Sequence, residues 1–91
     1  MKINKIVRNK IFLSNEEIMD INLDIKTKYD LKEDMDIESL YDEISYEASL
    51  AKALYYLSLR DRTEEELRIK LGGKFRNASS IDRAVKKVRE M

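Results

Sequence analysis

The residues of this chain best suited to meet a charged partner are arginines and lysines gathered in its last third. Arg60 and Arg62 bracket Asp61 just before Thr63, and Arg68, Lys74, Arg76, Arg83, Lys86 and Lys87 follow. Guanidinium and ammonium groups recognise carboxylates or phosphates, in contacts that weaken as salt rises. Bond-making chemistry has much less to work with. There is no His, the commonest general base and metal ligand, and no Cys. The carboxylates of residues 30–47 have neither calcium-loop spacing nor a His partner. The expectation is a non-enzymatic protein with no cofactor and no metal site, because no nucleophile–base pair is evident.

The elements that must position these cations follow from composition. A chain of 91 residues has room for one domain or two small lobes sharing a modest core. Charged residues make up 40% and hydrophobic residues 43%, with two Gly and no Pro. That balance favours a folded, mainly helical protein over disorder. The neutral total hides three blocks: residues 1–15 carry a charge of +4, residues 16–47 carry −9 and residues 48–91 carry +5. Separate acidic and basic surfaces follow, read either as solvated helix faces or as a basic half that meets a polyanion. No apolar run approaches the roughly 18–20 residues needed to span a bilayer, and the start has no signal-like apolar stretch. A soluble, intracellular protein is expected.

Residues 1–36 read as a small strand-rich lobe. Short β-rich apolar runs in Lys2–Val7, Lys10–Leu13 and Ile18–Ile21, separated by polar residues, suggest a small antiparallel meander or hairpin, with Ser14-Asn15 as a turn. Asn22 caps a short helix over Leu23–Tyr29, and Leu31–Met35 reads as an extended acidic linker. From residue 37 to 91 the pattern is that of a three-helix repeat, resembling a helix–turn–helix. Asp36 is expected to cap a long helix to about Leu59, whose buried face holds Ile37, Leu40, Tyr41, Ile44, Ala48, Ala51, Tyr55 and Ser58. Tyr55 then belongs to the core and Tyr56 is partly exposed. Beyond Ala48 the helix is apolar on most sides, so its second half should be clasped by other elements.

The strongest local signal is Thr63-Glu64-Glu65-Glu66, a capping box in which Thr63 and Glu66 satisfy each other's backbone amides. Glu64–Arg68 and Glu66–Lys70 are placed for i, i+4 ion pairs, and Leu67 and Leu71 point inward. Gly72-Gly73 is expected to end this helix in a left-handed conformation. A last helix starts near Ser79 or Ser80 with Ile81, Ala84, Val85 and Val88 as its apolar stripe, and Phe75 plugs the gap before it. Arg60 and Arg62 stand between two roles, bonding the orphan carbonyls of the preceding helix or touching a partner. No cap closes the chain at Met91, so a truncation is expected there.

Ala51–Leu71 resembles the first repeat of the RecX recombination regulators. That hallmark is an Ala–Leu–x–x–Leu helix, an Arg-x-Arg-Ser/Thr joint, then Glu-Leu and a Lys-Leu ending. Here it falls on Ala53, Leu54, Leu57, Arg60, Arg62, Thr63, Glu66, Leu67, Lys70 and Leu71. Ile81–Met91 is similar to the repeat's third helix, and Lys10–Leu13 with Lys28-Tyr29-Asp30-Leu31 is similar to the segment preceding the repeats in longer members. The resemblance implies a small cytoplasmic protein that binds RecA, lodges in the groove of its DNA filament and restrains the recombinase in DNA repair and the SOS response. Members usually hold three repeats, and this chain holds one. The contact surface so implied is Arg60, Arg62, Arg68, Lys74, Arg76, Arg83, Lys86 and Lys87, with DNA contact secondary and oligomeric state left open. The alternative is a small helix–turn–helix DNA-binding transcriptional regulator that puts its last helix in the major groove, with Arg83, Lys86 and Lys87 reaching bases or phosphates. The length of the Gly72–Ser79 connection counts against it.

Overall fold

A computed structural model describes residues 1–91, three strands followed by four helices. The strands β1 (Ile3–Val7), β2 (Lys10–Leu13) and β3 (Ile18–Asp20) form an antiparallel meander in the order β1-β2-β3. Strand alternation buries Ile3, Ile11, Leu13 and Met19 on one face. The β1–β2 turn is built on Arg8, held at a left-handed φ of 55° without a glycine. Asn22 caps α1 (Leu23–Lys28), its Oδ1 accepting from the amide of Ile25 at 2.8 Å.

Residues 31–36 are not a linker. The Ile3 amide donates to the Met35 carbonyl and the Asp34 amide donates to the Ile3 carbonyl, so this segment covers the outer edge of β1. Leu31 is buried. The same tie delays the long helix, which spans Tyr41–Leu59 (α2) rather than starting at Ile37. The Asp36 carboxylate accepts from the Glu38 amide and the Ile37 amide donates to the Met1 carbonyl. Asp36 thus caps an isolated turn, and Leu40 precedes the helix with no side-chain cap.

Two short helices complete the repeat, α3 (Glu64–Gly72) and α4 (Ala78–Glu90). Ile81, Ala84 and Val85 of α4 are buried as their spacing predicts, and so are Leu67, Leu71 and Phe75. The helix starts slightly earlier than Ser79, because Asn77 accepts from the Ser80 amide at 3.1 Å. One cluster of buried side chains runs continuously from Ile3 of the sheet to Val85 of α4.

The buried face of α2 differs from the apolar stripe. Ser45, Ser49, Ala53 and Tyr56 are buried alongside Ile44 and Ala48, whereas Tyr55 is 55% exposed. The expected roles of the two tyrosines are therefore exchanged. The physical reason is that small residues admit a neighbouring helix closely, and the serines, polar but small, lie on the packed side of α2. The second half of α2 is also not clasped all round, since Leu54, Tyr55 and Leu59 face outward.

The α3 terminus departs from expectation too. Neither glycine has a positive φ, and Gly73 sits at φ −79° and ψ −11°. The helix ends instead by tightening. The Gly73 amide donates to the Ile69 and Lys70 carbonyls, and the Lys74 and Phe75 amides donate to that of Leu71.

Candidate partner-binding surface

The joint between α2 and α3 is held by two interlocking devices. Thr63 Oγ1 accepts from the Glu66 amide at 3.1 Å while Glu66 Oε1 accepts from the Thr63 amide at 3.2 Å, the reciprocal capping box. The bond from the Thr63 amide, with the Arg60 and Arg62 charges nearby, holds the Glu66 carboxyl below its usual range. Across the joint Arg62 Nε donates to the Tyr56 carbonyl at 3.4 Å, satisfying an end carbonyl of α2. Its guanidinium lies over the Tyr56 ring, as does the Lys70 ammonium, each 5.4 Å from the ring centre. Arg60 pairs with the outer oxygen of Glu66 at 3.3 Å.

The remaining cations divide into four groups. Arg76 donates to the carbonyls of Asn15 and Glu16, at 2.9 and 3.0 Å, and so fastens the α3–α4 connection to the β2–β3 turn. Arg68 and Lys86 share Asp82, at 2.7 and 3.0 Å, which holds that carboxyl below its usual range. Arg83 pairs with Glu43 at 2.9 Å and lies 4.1 Å from the centre of the Tyr46 ring. Lys74 and Lys87 are exposed and belong to no ion pair. The expected i, i+4 pairs on α3 do not form. Asp82 and Arg89 of α4 lie within reach and draw Arg68 and Glu64 across the helix–helix seam.

The cations named from the sequence thus lie on α3, α4 and their two connections, with Arg62 and Arg76 spent on backbone carbonyls. What the residue spacing left out is the outward side of α2. There Tyr55 and Lys52 face the β1–β2 turn across the largest concavity of the molecule. The signals available were the +4 charge of residues 1–15 and the largely apolar stretch after Ala48, interrupted by Lys52. No group of three or more Asp, Glu, His or Cys is placed to hold a metal ion. No helix is long and apolar enough to cross a membrane.

Fold and surface together define a three-helix module with a capped joint, packed on a small three-stranded sheet. Residues 50–87 match the family model described as RecX, first three-helix domain, so that stretch of the chain is similar to this domain. The matched stretch takes in the second half of α2, all of α3 and most of α4. No curated protein and no solved structure matches the chain.

Proposed function

We propose that this protein regulates homologous recombination by binding RecA and its DNA filament and restraining recombinase activity, without catalysis of its own. The observation that carries the reading is the coincidence of the RecX three-helix match with the capped joint and the two helices it orients. The contact is one of protein with protein in the cytoplasm, with DNA phosphate a secondary ligand.

The surface we assign to this contact is formed by Arg60, Arg68, Lys74, Arg83, Lys86 and Lys87. Lys74 and Lys87 are free to meet an acidic partner. The pairs made by the other four are exposed on both sides. Such pairs are worth at most about 1 kcal/mol, so an incoming carboxylate or phosphate can displace them. Arg62 and Arg76 act by positioning the joint and the sheet.

Co-sedimentation of the chain with RecA filaments on single-stranded DNA tests this reading. The chain pellets with the filament in low salt and is released as salt rises. Binding to bare duplex DNA but not to the RecA filament would support the DNA-reading alternative instead. That alternative is favoured less, because a five-residue stretch separates α3 from α4, longer than the usual tight turn of a helix–turn–helix.

A further inference from the structure

The largest concavity, about 630 Å³, lies between the β1–β2 turn and the second half of α2. This volume falls within the roughly 300–1,000 Å³ typical of ligand pockets. Val7, Ala51 and the Tyr55 ring give it an apolar floor, and Arg8, Lys10 and Lys52 give it a cationic rim. Val7 is 40% exposed, so the floor is open to a visitor. Asp20, the one acidic side chain in the lining, is held between Lys10 at 2.5 Å and Lys52 at 3.3 Å. Burial pushes the Asp20 carboxyl up, but the Lys10 hydrogen bond and the charges of Lys52 and Lys10 outweigh it and hold the group ionised below its usual range. The cleft keeps a net positive rim, and the Arg8 guanidinium at the tip of the turn has no ion-pair partner.

We propose that this cleft docks an extended acidic peptide segment that carries one apolar anchor side chain. Charge complementarity fixes the sign of the partner. The floor fixes its form, because it is largely aliphatic and offers one aromatic ring, already accompanied by the Lys52 ammonium 5.7 Å from its centre. A single-stranded nucleic acid favours successive stacking rings along its path. The ionised Asp20 also opposes a closely seated phosphate, whereas the apolar floor beside it suits an aliphatic or aromatic side chain. This inference stands on the cleft alone and does not require that the partner be RecA. The cleft is formed by the sheet and α2, away from the α3–α4 cations proposed above.

The test is fluorescence anisotropy of the full chain with a labelled short peptide of aspartates and glutamates around one phenylalanine. Companion probes replace that phenylalanine by serine, replace the acids by lysines, or substitute oligothymidine. The acidic phenylalanine peptide binds best, and its affinity falls with salt. Ala51→Glu places a carboxylate on the floor and weakens binding about tenfold or more. Arg8→Asn removes a rim charge in a residue type that accepts the left-handed backbone, and weakens binding about threefold. Tyr55→Ser, on an exposed site, gives a second reading should Ala51→Glu impair folding by circular dichroism. Equal binding of the lysine peptide, or no response to Ala51→Glu and Tyr55→Ser in folded protein, overturns the proposal. So does tighter binding of oligothymidine through the same residues. Loss of RecA binding with peptide binding intact would fall on the earlier reading alone.

Discussion

The Tyr41 hydroxyl donates to Oε1 of Glu17 at 2.6 Å, joining the first turn of the long helix to a carboxylate that is only 1% exposed. The partner oxygen, Oε2, is buried with no hydrogen bond. This contact and the Arg76 bonds to the Asn15 and Glu16 carbonyls converge on the β2–β3 turn, so the sheet and the helices that carry the joint are fastened at one place. Burial and the Glu17 bond push the Tyr41 phenol upward, so it remains a donor across ordinary pH.

Tyr41→Phe leaves the Glu17 carboxylate buried without a donor and destabilises the protein by about 1–3 kcal/mol. The double variant Tyr41→Phe with Glu17→Leu recovers part of that loss, since removing both partners spares the unpaired group. Denaturant melts of the four proteins check this through the coupling between the sites. Additive losses in the double variant would mean that the pair is not coupled.

Thr63→Ala removes half of the capping box and costs about 1 kcal/mol. Lys87→Glu, on an exposed residue with no partner, leaves stability within about 0.5 kcal/mol while weakening RecA binding. Urea melts paired with filament co-sedimentation separate the two effects. If Lys87→Glu binds RecA as the wild type does, Lys87 is not part of the contact.

Gly72→Ala stabilises the protein by about 0.4–1 kcal/mol. No atom lies within 4 Å of a methyl group added there, and its φ is not positive, so the gain comes from a stiffer unfolded chain. Thermal melts decide it. A loss of stability would show that the backbone there needs the left-handed freedom of glycine.

Acid weakens the fold through carboxylates whose pKa the folded state lowers. Asp20 behaves so through its two lysines. At Glu47 burial works the other way, but hydrogen bonds from Lys28 and Tyr29 outweigh it. A carboxyl with a folded pKa below its unfolded value, 3.8 for Asp and 4.5 for Glu, adds stability in full above that unfolded value. The contribution is lost as pH falls through the folded value. Denaturation midpoints should therefore hold steady down to about pH 5 and fall by about pH 3, less steeply in Asp20→Asn. An unchanged slope in that variant would remove Asp20 from the account. Tyr29 supports the Lys28–Glu47 pair, its phenol pushed up to about 12 by burial and by the bond to Glu47.

Features set by neighbouring residues were legible in the sequence. The three strands, the Asn22 cap and the Thr63–Glu66 box all depend on contacts a few residues apart. Features set by distant partners were not. The serines of α2 read as polar, and only the packed fold shows that Ser45 and Ser49 are buried. Asp36 reads as a helix cap until Met1 and Lys2 tie its backbone to the sheet. Arg68 reads as a partner for Glu64 until Asp82 arrives from another helix. The cations of the surface were likewise visible as residues, but their engagements were not.

Restraint of the recombinase is tested most directly by titrating the chain into a RecA ATPase assay on single-stranded DNA. The expected result is inhibition that saturates, weakens with salt and is reduced by Lys74→Glu with Lys87→Glu in protein that remains folded. An unchanged ATPase rate at saturating protein would contradict it.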